Sequence, residues 1–359
     1  MGPCIAVMAG GTGGHVFPAL AVAQQLRERG VDVFWIGTRN GMESRLVPSH
    51  DIAMEWIGIS GVRGKGLVTL AAAPWRLLRA IAQASAILRR RAPALVLGMG
   101  GFVAGPGGIA AWLQGRPLVI QEQNSVPGMT NKWLARIATR TFEAFPGTFP
   151  AGRAAVTSGN PVRAEIAALA PPAQRLAARS GPARLLVVGG SLGAKALNEI
   201  VPAALARLPA GQRPVVRHQA GERTFEVARQ AYAEQGVEAE VTAFIDDMAA
   251  AYGWADLVIC RAGALTVAEL AAAGLPALLI PYPYAVDDHQ VGNARFLVDA
   301  GAARMILQRE LTPAGLAAEL APLLADPAGR LTMAEAARRQ ARPDAAERIA
   351  TTCLELATQ

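Results

Sequence analysis

Apolar residues along the chain fall into two alternating patterns. Short continuous runs, CIAVM, VFWIG, ALVLG and PLVIQ, are separated by longer stretches of helical period, Gly14 to Arg29, Leu67 to Arg91, Gly105 to Gln114 and Pro127 to Arg136. Unbroken Val, Ile and Leu runs need burial on both faces, so this alternation predicts parallel sheets covered by helices on both sides. The second half repeats the scheme with RLLVVGG, a helix from about Gly193, VVRHQ, another helix, DLVIC, a helix through Glu269, and PALLIP. Two doubly wound, Rossmann-like α/β domains in tandem follow, covering residues 1–161 and 162–340, with the turn signal Gly159-Asn160-Pro161 at their boundary. Ligands are expected outside the carboxyl ends of the strands, in a cleft between the domains.

Both halves open alike. CIAVM leads into Gly10-Gly11-Thr12-Gly13-Gly14-His15, and VVGGSLGAKALNEI repeats strand, double glycine and helix 179 residues later, counted from Gly10 to Gly189. Glycines let backbone N–H groups approach an anion at a helix N-terminus, where the dipole favours negative charge, and Ser191 adds a hydroxyl to the second turn. The first turn is not a dinucleotide fingerprint, because a G-x-G begun at Gly11 meets Val16 where the third glycine belongs. GVRGKGL is no Walker A loop either, with Ile59 and Gly66 at two required positions. A third cluster, GMGGFVAGPGG, follows the ALVL strand.

Composition narrows the class. With 359 residues, each half can bury its own core. Cys4, Cys260 and Cys353 are odd in number, far apart and set in apolar runs, which predicts core thiols in a reducing compartment. No basic residue precedes Arg27 and no cleavage pattern follows, so no signal peptide is expected. Ala92 to Gly115 is uncharged and as long as a membrane span of about 20 residues. Its glycines, each costing a helix roughly 1 kcal/mol, mark it instead as a strand, a glycine loop and a helix start. The net charge of +7 favours anionic partners, and no nucleic-acid motif is present. The sequence contains no D-x-D and no histidine pair at ligand spacing, so no metal site is predicted. The pairs Asp246-Asp247 and Asp287-Asp288 are each expected to supply a helix cap.

Three features suggest chemistry. His15, one of four histidines, follows the first glycine turn, where an imidazole of ordinary pKa about 6.5 can take a proton at neutral pH. Glu269 lies in an otherwise apolar helix, and a buried carboxylate needs hydrogen-bond donors such as a ribose diol or a structural partner. In APWRLLRAIAQASAILRRR, Leu77, Ile81, Ala84 and Leu88 form a core-facing stripe at about 100° per residue. Trp75, Leu78 and Ala82 form a second stripe beside Arg79, which reads either as a surface dipping into anionic lipid or as a helix buried on two sides.

MAGGTGGHVFPALAVA, GVRGKG, GMGGFVAGPGG, EQN, NKWLA, GNPVR, VVGGSLGAKALN, FIDDM, CRAGALTVAEL and DHQVGNA occur in an order that resembles the MurG family, nearly end to end. These are the transferases that complete the lipid-linked disaccharide of bacterial cell-wall synthesis. The resemblance implies a GT-B fold whose last helix, within 341–359, returns to the first domain, and an inverting glycosyl transfer that needs no metal or other cofactor. It further implies UDP-GlcNAc as donor and undecaprenyl-pyrophosphoryl-MurNAc-pentapeptide, lipid I, as acceptor. The protein would be peripheral on the cytoplasmic face of the inner membrane, with anionic lipid and a cell-wall synthesis complex as partners.

Carried over by position, Thr12, Gly13 and Gly14 would line the site beside donor sugar and acceptor diphosphate, with His15 the base for the acceptor 4-hydroxyl. Asn124 would touch GlcNAc, while Arg163, Ser191 and Ile245 would hold the nucleotide. Ala264, Leu265, Thr266, Val267 and Ala268 would cup the phosphates, Glu269 would bind the ribose and Gln290 the sugar, and Trp75, Leu78 and Arg79 would meet the membrane. Phe102, Ala104, Gln121 and Ala262 stand where relatives often carry Tyr, Ser, His and Ser, and receive no catalytic role. A UDP-GlcNAc 2-epimerase of the same fold and a nucleotide-dependent scaffold are the alternatives.

Overall fold

A computed structural model describes residues 2–59, 73–177, 179–190, 193–285 and 288–359. The chain divides into two compact units, Met1–Arg163 with Arg342–Gln359, and Ala164–Ala341.

The first unit is a parallel seven-stranded sheet in the order β3-β2-β1-β4-β5-β6-β7. Its strands are β1 Cys4–Met8, β2 Asp32–Gly37, β3 Ala53–Trp56, β4 Leu95–Gly98, β5 Leu118–Glu122, β6 Arg140–Glu143 and β7 Val156–Thr157. Its helices are α1 Gly13–Glu28, α2 Glu43–Leu46, α3 Ala73–Arg91, α4 Gly101–Leu113 and α5 Met129–Leu134. The second unit is a parallel six-stranded sheet in the order β10-β9-β8-β11-β12-β13. It comprises β8 Arg184–Val188, β9 Val215–Gln219, β10 Glu240–Thr242, β11 Leu257–Cys260, β12 Ala277–Leu279 and β13 Ala303–Met305. Its helices are α6 Ala164–Ala167, α7 Pro172–Ala177, α8 Lys195–Ala206, α9 Phe225–Glu234, α10 Met248–Trp254, α11 Ala264–Ala273, α12 His289–Val298, α13 Pro313–Ala325 and α14 Pro327–Arg339. The last helix, α15 Ala345–Ala357, belongs to the first unit, where Ile349, Ala350 and Cys353 join the core of β1, β2 and α1.

Each strand order reverses once, between β1 and β4 and between β8 and β11, and an open α/β sheet leaves a crevice at such a reversal. The glycine clusters sit at these points because loops from adjacent strands that lead to opposite faces must part there.

Two expectations need correction. The GMGGFVAGPGG loop is mostly helix: α4 begins at Gly101, and its glycines serve packing. A Cβ at Gly108 would lie 2.7 Å from the Leu134 side chain, and one at Gly107 would collide with Met8 Sδ. On α3 the core stripe is Ala80, Ala84, Ile87 and Leu88, whereas Leu77 is exposed, because residues 74–79 are exposed all round the helix. The predicted helical residues 67–72 and the GVRGKG segment lie outside the described residues. Asp247 caps α10, accepting from the Ala250 amide at 2.8 Å, but Asp288 makes no side-chain cap to α12, sitting at φ 49° as its N-cap residue. Asp287 is not described. Strands β3, β6, β7, β10 and β13 were not expected from the apolar pattern, since AMEW, RTFE, VT, EVT and ARM are short or mix charge with apolar residues.

Candidate active site

At the β1/β4 reversal two glycine loops press against each other. Gly100 and Gly101 both take left-handed φ values, 90° and 77°. A Cβ on Gly100 would lie 2.5 Å from Cδ2 and 3.0 Å from Nε2 of His15, so the imidazole rests directly over this glycine. A Cβ on Gly101 would collide with the Gly10 carbonyl. His15 closes the first turn of α1, its amide donating to the Thr12 carbonyl at 3.1 Å. Thr12 is exposed, and Gly13 and Gly14 occupy the turn whose N–H groups have no intrahelical acceptor.

Beneath the histidine runs a buried amide network. Gln123 Nε2 donates to the Met99 carbonyl at 2.8 Å and to Gln121 Oε1 at 2.5 Å. Gln121 Nε2 donates to Asn160 Oδ1 at 3.1 Å, and Asn160 Nδ2 returns a bond to the Gln123 carbonyl at 2.9 Å. Gln121, one of the positions that departs from the family pattern, is therefore a structural link here.

Two buried carboxylates that sequence reasoning missed organise the loops. Glu43 accepts from the Gly11 amide at 3.1 Å and from Thr38 N and Oγ1 at 2.9 and 2.8 Å. The Gly11 N–H thus turns inward to Glu43, so the first glycine turn does not offer that amide to an anion. Glu122 accepts from Asn124 N and Nδ2 at 3.0 and 3.2 Å, Gly128 N at 3.1 Å and Asn131 Nδ2 at 3.0 Å, which fixes the orientation of the Asn124 amide. The available signal for Glu122 was an acid ending an apolar strand in LVIQE, whereas Glu43 carried no local signal. Arg163, the last residue of this segment of the unit, stacks its guanidinium 5.6 Å from the Phe17 ring on α1.

At the β8/β11 reversal three amides of the second glycine turn have partners. Gly189 N donates to the Gln219 carbonyl, Gly190 N to Gln219 Oε1 at 3.0 Å, and Gly193 N to the Gly190 carbonyl at 2.9 Å. Ser191 lies outside the described residues. The adjoining start of α11 is different: Ala264, Leu265 and Thr266 form its first turn, following Gly263, where amides point out of the helix. Val267 has nothing to offer a ligand, because its side chain is fully buried and its amide bonds the Gly263 carbonyl at 2.9 Å. Ala268 is half-buried on the same helix.

Glu269 is 4% exposed and accepts from Tyr252 Oη at 3.4 Å. Gln290 Oε1 accepts from the amides of Ala262 at 3.2 Å and Tyr282 at 2.9 Å, tying α12 to the loops after β11 and β12. Ile245 is half-buried in the loop between β10 and α10. At the far end of α11, Arg175 donates to the Ala273 and Gly274 carbonyls at 2.7 and 2.8 Å, a cation on the negative pole of the dipole. Burial, and then the neighbouring Arg179 and Arg338, push its pKa down to about 10. Among the described residues no cluster of three or more His, Cys, Asp or Glu is placed to hold a metal ion, and no helix is long and apolar enough to cross a membrane.

Residues 5–143 match the glycosyltransferase family 28 N-terminal domain and residues 184–349 its C-terminal domain. A Marinobacter nauticus protein named UDP-N-acetylglucosamine–N-acetylmuramyl-(pentapeptide) pyrophosphoryl-undecaprenol N-acetylglucosamine transferase is 58% identical over 98% of this chain and 97% of its own. Its Alkalilimnicola ehrlichii namesake is 59% identical over 98% of each chain. Among solved structures, Acinetobacter baumannii MurG is 43% identical with a TM-score of 0.86, over 98% of this chain and 99% of that one. The UDP-GlcNAc 2-epimerase of Neisseria meningitidis, at 12% identity and TM-score 0.68 over 98% and 99% of the two chains, shares the fold alone.

Proposed function

This chain belongs to glycosyltransferase family 28 and, within it, to the MurG family, and from that premise we infer its reaction. It transfers N-acetylglucosamine from UDP-GlcNAc to lipid I, forming lipid II and UDP in peptidoglycan synthesis. The observation that carries this reading is near full-length identity to transferases of that name, together with both family 28 domains. The epimerase alternative has only a shared fold in its favour.

His15 is the general base for the MurNAc 4-hydroxyl. The oxygen freed of its proton attacks the anomeric carbon from the face opposite the diphosphate. As that bond forms, the bond from the anomeric carbon to the phosphate oxygen breaks, UDP leaves with the electron pair, and the configuration inverts to β. Support for His15 comes from the Gly100 seat, which holds the imidazole in one place at the reversal of the first sheet. Thr12, Gly13, Gly14 and Asn124 line the acceptor and sugar side. In the second unit, the first-turn amides at Ala264, Leu265 and Thr266 stabilise the charge developing on UDP, without a metal ion. Glu269 binds the ribose hydroxyls and Gln290 the sugar, with Ser191, Ile245 and Arg163 on the nucleotide.

The protein works as a peripheral enzyme on the cytoplasmic face of the membrane. The support is on α3, where Trp75 is 74% and Leu78 59% exposed beside exposed Arg76 and Arg79. Apolar side chains of that size next to cations suit an anionic lipid surface.

Purified protein should move labelled GlcNAc from UDP-GlcNAc to a lipid I analogue at a rate that EDTA leaves nearly unchanged. Absence of transfer would refute the reaction, and strict dependence on a divalent ion would refute the metal-free step.

A further inference from the structure

We propose that Glu43 is a positioning residue for the transfer, acting on His15 through the Gly10–Gly11 peptide; this rests on His15 being the base. Glu43 is the first residue of α2 and has no solvent exposure. Its carboxylate accepts three hydrogen bonds, two from Thr38 at the end of β2 and one from Gly11 in the loop after β1. These three donors satisfy the buried carboxylate.

The mechanics follow from one planar peptide. In a trans peptide the N–H of Gly11 and the carbonyl of Gly10 point in opposite directions. With the N–H drawn to Glu43 Oε2, the carbonyl is directed at Gly101, so close that a Cβ there could not fit. Gly100, next in the chain, is the seat of the His15 ring. Glu43, the Gly10–Gly11 peptide, Gly101, Gly100 and the imidazole are thus a continuous stack across the reversal point. Gly10 and Gly41 leave the space the carboxylate fills: a Cβ at Gly10 would lie 2.8 Å from Glu43 Oε1, and one at Gly41 would collide with the carboxylate. If Glu43 no longer holds the Gly11 N–H, the peptide plane can rotate, its carbonyl leaves Gly101, and the floor under His15 loosens.

The test uses the full-length protein. Glu43→Gln keeps the shape but replaces one acceptor oxygen by an N–H₂ donor, which conflicts with the bonds to Gly11 and Thr38. The expected result is a fall in kcat of about 30- to 100-fold, the order reached when a reacting group is misplaced by about 1 Å. The affinity for UDP should stay within about twofold, because Ile245, the first turn of α11 and Glu269, which would hold most of the nucleotide, lie in the other unit. By NMR the Gly11 amide proton should move upfield and the His15 imidazole resonances should shift. Thr38→Val, which removes one donor and leaves Glu43 in place, should show the same changes at smaller size and covers the case in which Glu43→Gln does not fold. A kcat within threefold of the parent in either folded variant, or lost activity with unmoved His15 resonances, overturns the proposal. His15→Ala at parental kcat would instead overturn the base assignment itself, whatever Glu43→Gln does.

Discussion

Gly100→Ala isolates the seat of His15. Among the glycines of the first unit with positive φ are Gly100, Gly101 and Gly115, at 90°, 77° and 65°. An alanine at Gly115 meets a backbone penalty of about 1–2 kcal/mol, whereas Gly100, at φ 90° and ψ −176°, lies in a region kept almost entirely for glycine and costs about 1–3 kcal/mol. Their surroundings differ: a Cβ at Gly115 meets nothing within 4 Å, whereas at Gly100 it lies 2.5 Å from His15 Cδ2, against the 3.4–4 Å of ordinary contact. Restoring contact moves the ring by about 1 Å, a displacement that costs a reacting group roughly 100-fold in rate. Gly100→Ala should therefore lose more stability than Gly115→Ala, each by a few degrees in thermal melting, while kcat of the folded protein falls about 100-fold only in the first. Steady-state transfer to a lipid I analogue, with UDP affinity as the control for folding, separates the two. Equal kcat in the two variants would refute the idea that Gly100 sets the position of the base.

Other expectations can be checked alongside. Glu269→Gln should weaken UDP-GlcNAc binding by about 10- to 100-fold, as losing a charged acceptor for two hydroxyls costs about 1.5–3 kcal/mol; unchanged calorimetric affinity would remove Glu269 from the ribose. Replacing Trp75 and Leu78 together by serine should cut binding to anionic liposomes at least about tenfold, since each fully buried apolar side chain contributes about 1.5–3 kcal/mol, with UDP affinity unaltered; unchanged liposome binding would refute the α3 membrane contact. His218 is fully buried, its Nδ1 paired with Tyr232 Oη at 3.0 Å, and burial pushes its pKa from 6.5 down to about 3. Because the unfolded chain alone takes up that proton below pH 6.5, stability should fall by about 2 kcal/mol between pH 7 and 5. The double variant His218→Leu/Tyr232→Phe should lose that slope, melting roughly 4–8 °C less pH-sensitively than the parent over that range; an unchanged slope would refute the assignment.

What the chain makes legible depends on whether a residue's partners are close in sequence. Strands such as CIAVM and DLVIC are buried on both faces, so their composition reports their environment directly, and the two-sheet architecture follows from them. RTFE and EVT carry polar residues, and their place in a sheet depends on neighbours they pair with. His15 stood out because a glycine turn and a helix start flank it locally. The rest of the site is built across the reversal points, by contacts between residues 32, 24, 37 and 29 positions apart: Gly11 with Glu43, Gln123 with Met99, Asn160 with Gln123, and Gly190 with Gln219. No local pattern marks Glu43, which reads as one acid at the start of a short helix until the fold places it under Gly10. The glycine turns are partly closed for the same reason: Glu43 takes the Gly11 amide, and Gln219, from the end of a neighbouring strand, takes those of Gly189 and Gly190. A glycine turn in such a sheet is therefore evidence that two loops meet closely.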